Sequence, residues 1–312
     1  MLVSTKWLFD KCYGKFAVGA LNIWSMEQIL ALFSAGEKSA SPFIVQMTPV
    51  ARNYAQGRML IDMIKAAAKI YPKTIFATHI DHGNEEHVLQ AIESGEFTSV
   101  MIDASHDTFL KNISRTREIV KMAHRKDVAV EAELGVLTGV EDNLTIDEKK
   151  GLYTQPEEVE TFVNETGCDS LAVAVGTSHG AYKFSGGEGL QFNILEKIQK
   201  RVPGFPLVLH GGSEVNINEV ERINNSGGKI GISAKGVSSH EIKRSIQYGV
   251  CKVNIATDAR IIWTRVHREF FKQSPELIDP ILPGKIYMEE LEKFIIQKFE
   301  LLGSTGKANL FK

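Results

Sequence analysis

Three histidines, His82, His179 and His210, stand at the ends of short apolar runs that lie far apart in the chain, and each is followed by glycine. Neutral imidazole is the usual nitrogen ligand of divalent zinc, and three protein ligands with one open position mark a catalytic rather than a structural site. One histidine alone would carry no such reading. Three at equivalent strand ends do, and the glycine after each lets the ligand's backbone come close. Carboxylates gather at the same places: Asp81 precedes His82, Asp103 ends another run, and Glu131 and Glu133 alternate in VAVEAEL. Alternation puts Glu131 and Glu133 on one face of a strand. Since an unpaired buried carboxylate is costly, a second cation or a proton-transfer role is the expected reason for the pair. Glu141 follows in the loop TGVEDN.

A third group is built for an anion. Gly180, Gly211, Gly212, Ser213, Asn254 and Thr257 fall at the ends of later runs, with Lys183 nearby in GAYK. Small residues expose backbone N–H groups, while Ser, Thr and Asn add donors, which together make a phosphate cradle. HGGS by itself would be no more than a tight turn.

The elements that must position these residues are eight short runs, rich in β-branched side chains and apolar on both faces: Phe16 to Ile23, Pro42 to Thr48, Thr74 to Asp81, Ser99 to Ala104, Val128 to Leu134, Ser170 to Gly176, Pro206 to Gly211 and Lys252 to Asp258. Such runs read as buried parallel strands. Helical periodicity fills the intervals, at 25–35, 57–70, 84–94, 107–125, 155–165, 191–200, 217–225 and 238–248, with two more helical stretches at 261–272 and 288–302. Strict alternation of strand and helix predicts a (β/α)8 barrel, an α/β fold whose active site forms at the C-terminal mouth of the strands. The reading is one domain over 1–312 with a C-terminal helical extension at about 261–305.

Composition sets the outer limits. The chain has 312 residues, is 43% hydrophobic and 24% charged, and carries a formal net charge of -2, which gives no electrostatic case for nucleic acid or an anionic membrane. Its apolar runs fall short of the roughly 18 to 20 residues needed to span a bilayer, and its first residues lack the apolar core of a secretory signal. Cys12, Cys168 and Cys251 are odd in number and widely spaced, so neither a disulfide framework nor a Cys-based zinc site is expected. A reducing cytoplasm is the expected location.

Taken together, HIDHG at His79 to Gly83, EAELG at Glu131 to Gly135, YTQPEEV at Tyr153 to Val159, GTSHGAYK at Gly176 to Lys183, LHGGS at Leu209 to Ser213 and NIATD at Asn254 to Asp258 closely resemble the class II, zinc-dependent ketose-bisphosphate aldolases. The resemblance runs in the same order from about residue 7 to 305. It implies an aldehyde-lyase that reversibly cleaves fructose 1,6-bisphosphate or tagatose 1,6-bisphosphate to dihydroxyacetone phosphate and glyceraldehyde 3-phosphate. By matching position, His82, His179 and His210 would hold zinc, Asp81 would exchange a proton with the C4 hydroxyl, and Glu141 would transfer one at the dihydroxyacetone phosphate carbon. Asp103 and Glu133 match a second divalent metal site. Gly180, Lys183, Gly211, Gly212, Ser213 and the run Asn254, Ile255, Ala256, Thr257 match the dihydroxyacetone phosphate site, where a monovalent cation also binds. Asn22 matches a substrate-facing asparagine. A homo-oligomer, dimer or tetramer, is implied as well. The chemistry agrees: breaking C3–C4 leaves negative charge that a divalent cation stabilises as a Lewis acid, with no Schiff-base lysine required.

Departures bear on the sugar. Ala256 stands where many fructose-type members have aspartate, as in tagatose-type members, whereas Arg260 matches the fructose-type arrangement. Thr48 replaces the usual serine after the second run. The segment Asp279 to Tyr287, DPILPGKIY, replaces a basic stretch that contacts the distal phosphate. Fructose 1,6-bisphosphate is the first expectation, tagatose 1,6-bisphosphate or another ketose 1-phosphate the alternative. The rivals are a catalytically silent binding barrel and another metal-dependent barrel enzyme, an isomerase or a hydrolase.

Overall fold

The computed structural model of the chain describes residues 1–136, 138–141, 144–146, 153–179, 189–231 and 237–311, with backbone alone at 138–141, 144–146 and 178–179. Eight strands close into a parallel barrel: β1 Val18–Asn22, β2 Phe43–Met47, β3 Phe76–Gly83, β4 Ser99–Ile102, β5 Ala129–Leu134, β6 Ser170–Val173, β7 Leu207–Leu209 and β8 Val250–Ile255. Neighbours in sequence are neighbours in the barrel, and β8 returns to β1 with Ala20 opposite Asn254. The expected (β/α)8 architecture is therefore the observed one.

Alternation along each strand explains why the runs are apolar on both faces. Leu21, Val45, Ile80, Val100, Val130, Leu171, Leu209 and Val253 point outward into one continuous core shared with the helices. That core is supplied by α2 Met26–Lys38, α4 Met59–Ile70, α5 Glu85–Ser94, α6 Phe109–His124, α7 Pro156–Thr166 and α8 Phe192–Arg201. Inward positions change character along the strand. Val18 and Ala20 lead to Asn22, Ile44 to Gln46, Ala77 to His79 and Asp81, Ala129 to Glu131 and Glu133, and Val208 to His210, all of them buried. A period of two carries each polar side chain to the same inner face as the apolar ones below it.

The lower end is closed by elements that periodicity did not reveal. Helix α1, Thr5–Cys12, starts at Ser4, whose hydroxyl accepts from Trp7 N at 3.2 Å. It packs Leu8, Phe9 and Cys12 with Phe16, Ala308 and Phe311 under Val18, Ala20, Ile44 and Ala77. A short helix, α3 Pro49–Tyr54, also follows β2 before α4. After β7 come α9 Ile217–Asn225 and α10 Ser239–Ser245, and after β8 come α11 Thr257–Gln273 and α12 Ile281–Leu301. Helix α12 begins seven residues before the expected 288. Pro280 precedes it, and the buried Tyr287 donates from its hydroxyl to the Ala259 carbonyl at 3.2 Å, so part of the DPILPGKIY segment packs on α11. Cys12, Cys168 and Cys251 are buried free thiols, as expected, and burial pushes Cys168 up to about 12. Among the described residues no helix is long and apolar enough to cross a membrane.

Candidate active site

Consecutive residues of a strand point to opposite faces, so Asp81 and His82 can both serve the mouth only if the strand is interrupted between them. It is. The pairing of β3 with β4 slips between Ile80 and Gly83, and His82 takes a left-handed φ of +47°. This bulge re-aims the imidazole, the use to which bulges beside active sites are often put. Gly83 completes the turn, because a Cβ there would stand 2.9 Å from the Met101 carbonyl oxygen and 2.5 Å from Val88. The glycine after His82 thus serves strand packing, and not the approach of a ligand as its position in the sequence suggested.

Asp81, fully buried, is held by three amides. Asn22 Nδ2 donates to Oδ2 at 2.8 Å, Gln46 Nε2 to the same oxygen at 3.2 Å, and Asn254 Nδ2 to Oδ1 at 3.1 Å. Gln46 also donates to Asn22 Oδ1 at 2.7 Å. Four strands, β1, β2, β3 and β8, therefore fix one carboxylate. Asn254 was expected in the phosphate cradle, yet its amide faces Asp81, and its own Oδ1 is buried with no hydrogen-bond partner among the described residues.

Beside this carboxylate two imidazoles meet. His82 Nδ1 lies 3.2 Å from Asp103 Oδ2, and His210 Nε2 lies 2.9 Å from Glu131 Oε1. An ionised carboxylate only accepts, so in each ring the nitrogen facing it carries the proton and the other presents a lone pair. Those other nitrogens, His82 Nε2 and His210 Nδ1, face each other at 2.9 Å. Two lone pairs at that distance repel unless a positive centre lies within reach of both. Nitrogen donors from His82 and His210 fit a divalent cation of intermediate softness, and an oxygen of Asp81 lies within 4.8 Å of both rings. Carboxylates behind both imidazoles are the orienting partners such ligands usually have. A second group, His82, Asp103 and Glu133, converges equally closely. Burial would raise the Asp103 carboxyl, but hydrogen bonds from His82 and Ser105 outweigh it and hold it well below the usual carboxylate range.

Glu131 corrects one expectation. Its cation is neither a second metal ion nor a mobile proton but a side chain: Lys252 Nζ, fully buried in β8, donates to Oε2 at 2.6 Å. Burial would raise the Glu131 carboxyl, and Lys252 with the two neighbouring histidines brings it far down. Lys252 also donates to His79 Nε2 at 3.2 Å, and His79 Nδ1 meets Ser99 Oγ at 2.8 Å. Burial, then Lys252, keep His79 well below its ordinary value and therefore neutral.

The loops after β7 and β8 are tied to one another. Ser213 Oγ accepts from the backbone N–H of Thr257 at 3.2 Å, where the 17-residue helix α11 begins. In return Asp258 accepts from the N–H groups of Glu214 at 3.1 Å and Val215 at 3.0 Å, and Val215 has a left-handed φ of +52°. Gly211 and Gly212 lie in the same turn, where a Cβ on Gly212 would meet Val253 at 2.5 Å. Ile255 points away, into the outer core, leaving only its backbone for a ligand. Thr48 caps α3 by accepting from Ala51 N, and Arg260 lies over the ring of Trp24 at 5.3 Å.

Gly180, Lys183 and the side chains of His179 and Glu141 lie outside the described residues. Their backbone neighbourhood is nonetheless informative: Thr138–Glu141 is a strand rather than a loop, antiparallel to Leu144–Ile146 and parallel to Ser178–His179, with Gly139 opposite His179. Sequence reasoning missed Gln46, His79, Lys252, Trp24 and Asp258. Gln46 and Lys252 had a signal, each being a polar residue inside an otherwise apolar strand.

Against known proteins, residues 3–307 match the family model described as fructose-bisphosphate aldolase class-II. The chain is 42% identical over 294 residues to a fructose-bisphosphate aldolase of Thermus caldophilus, covering 94% of this chain and 95% of that one. It is 39% identical over 312 residues to one from Helicobacter pylori, covering 98% and 100%. Among solved structures it resembles the YdjI aldolase from Escherichia coli K12, with TM-score 0.75 and 26% identity over 99% of this chain and 100% of that one. It also resembles the fructose-bisphosphate aldolase of Campylobacter jejuni, with TM-score 0.76 and 25% identity over 98% and 97%. With a carboxylate caged beside two converging imidazoles at a barrel mouth, and a family match over residues 3–307, the chain belongs to the class-II fructose-bisphosphate aldolase family.

Proposed function

We propose that this protein cleaves fructose 1,6-bisphosphate reversibly to dihydroxyacetone phosphate and glyceraldehyde 3-phosphate, with zinc as the cation held by His82, His179 and His210. The observation that carries this reading is the placement of Asp81: a buried carboxylate fixed by three amides, an oxygen of it within 4.8 Å of a ring nitrogen of His82 and of one of His210. When bound, the cation supplies Lewis-acid stabilisation of the charge left on the three-carbon fragment. Asp81 takes the proton of the C4 hydroxyl as the C3–C4 bond breaks, and Asn22, Gln46 and Asn254 hold it in place for that transfer. Glu141 delivers a proton to the three-carbon fragment. The C1 phosphate sits between Gly211, Gly212 and Ser213 and the first N–H groups of α11, an arrangement suited to anions, with Gly180, Lys183 and a monovalent cation completing the cradle. Asp103 and Glu133 offer an alternative divalent position. The enzyme works as a cytoplasmic homo-oligomer.

Ala256 favours a second reading. It brings no carboxylate to the rim, so tagatose 1,6-bisphosphate or another ketose 1-phosphate would meet the same mouth there. A coupled assay on fructose 1,6-bisphosphate, tagatose 1,6-bisphosphate and fructose 1-phosphate decides, since kcat/KM reports differential transition-state binding. Fructose 1,6-bisphosphate should lead, with activity lost to chelator and restored by Zn2+. A faster tagatose ester would transfer the assignment, and no cleavage of any ester with Zn2+ present would end it.

A further inference from the structure

His79, Glu131, Lys252 and His210 lie inside the barrel with no more than 1% exposure each. Hydrogen bonds join them in one line across five strands, from Ser99 of β4 through His79, Lys252 and Glu131 to His210. An ammonium has donors and no acceptor, so Lys252 fixes the direction of its bonds to His79 and Glu131, and the carboxylate it keeps ionised can only accept from His210. His79 must accept at Nε2 and donate from Nδ1 to Ser99. Glu131 must take Lys252 on one oxygen, which leaves the other to accept from His210 Nε2. A buried ion pair gains little stability over apolar filling of equal volume, so what this pair adds to the barrel is that direction.

We propose that the Lys252–Glu131 pair is a positioning device that locks His210 in the tautomer protonated at Nε2, so that its Nδ1 lone pair faces the cation. The proposal rests on the reading of His210 as a metal ligand. It makes an unusual demand of the conservative substitution Glu131→Gln. Lys252, having only donors, would claim the amide oxygen and turn the NH2 toward His210, forcing the ring to accept at Nε2 and carry its proton at Nδ1. Removing Lys252 as well frees the amide to rotate, so Glu131→Gln with Lys252→Met should restore the original tautomer. A merely structural pair would also recover in the double variant, because the single change strands a buried ammonium. A switch of the His210 tautomer to Nδ1–H in Glu131→Gln, and back to Nε2–H in the double variant, is peculiar to positioning and is read from 1H–15N spectra.

The test uses the full-length protein. Long-range 1H–15N spectra of the metal-free wild type should show His210 protonated at Nε2; protonation at Nδ1 overturns the proposal without any variant. Zn2+ titration against a competing chelator should then show Glu131→Gln binding about 10- to 100-fold more weakly, the usual cost of losing a ligand's orienting partner. The double variant should recover most of that loss. Wild-type affinity in Glu131→Gln, or a double variant no better than the single one, refutes the relay. A wild type that takes up no Zn2+ while His210 is protonated at Nε2 supports the relay and sinks the metal site instead, which keeps the two readings apart.

Discussion

The two ends of this barrel are made from the same strands and obey opposite rules. At the lower end Val18, Ala20, Ile44, Ala77 and Cys251 meet Leu8, Phe9 and Phe16 in a closed apolar layer. One or two steps of two residues further along the strands, about 6.6 Å each, the inner face carries Asn22, Gln46, His79, Asp81, Glu131 and Glu133, equally buried. Burial is the same; what differs is whether polar atoms must be matched. The apolar end needs complementary volume, which many sequences supply. The polar end needs every donor to find an acceptor, and each match there specifies a side chain. Stability should therefore respond to the first end and chemistry to the second.

Substitutions at the two ends test that division, taken in falling order of their effect on turnover. His82→Ala removes an imidazole whose Nε2 faces His210 Nδ1 at 2.9 Å, and should lose bound zinc and all measurable cleavage while the barrel still folds. Stoichiometric zinc in the purified variant would break the comparison at its strongest point. Asp81→Ala should keep zinc and slow cleavage by about 10² to 10⁴, the contribution of a positioned acid or base, as read in single-turnover assays; an unchanged rate would send the proton transfer elsewhere. Ser213→Ala deletes the hydroxyl that links the loops after β7 and β8. It should raise KM about tenfold, equivalent to one hydrogen bond of about 1.4 kcal/mol, with kcat nearly unchanged. Phe16→Ala, at the lower end with 1% exposure, should cost about 3 to 5 kcal/mol in denaturant unfolding and leave kcat and KM of the folded protein as they were. If Phe16→Ala altered catalysis more than Ser213→Ala, the two ends would not be separable.

The barrel was legible because a strand buried on both faces has few ways to be written: β-branched and apolar, bounded by turn residues. The convergence of Asp81, His82 and His210 was legible for the same reason, since position relative to a strand end is itself a geometric statement. Helix α1 was not, because its apolar residues pack under a barrel that the local sequence does not describe. Glu131 was seen but misassigned. Its partner Lys252 is 121 residues away, and only closure of β8 on β1 and β7 brings that ammonium into the interior. The roles of Gln46 and Asp258 depend likewise on contacts between strands or loops, which spacing in one dimension does not encode.

The left-handed backbone of His82 has a consequence for anyone selecting this protein for heat resistance. A side chain with a Cβ in that conformation costs roughly 1 to 2 kcal/mol that glycine would not, and asparagine tolerates it better than most. A screen that scores survival alone would be expected to enrich glycine or asparagine at position 82, improving the melting temperature while discarding the imidazole that faces His210. Thermostable variants that retain histidine there would have found their gains elsewhere, and the residue at this one position would report which criterion the selection had applied.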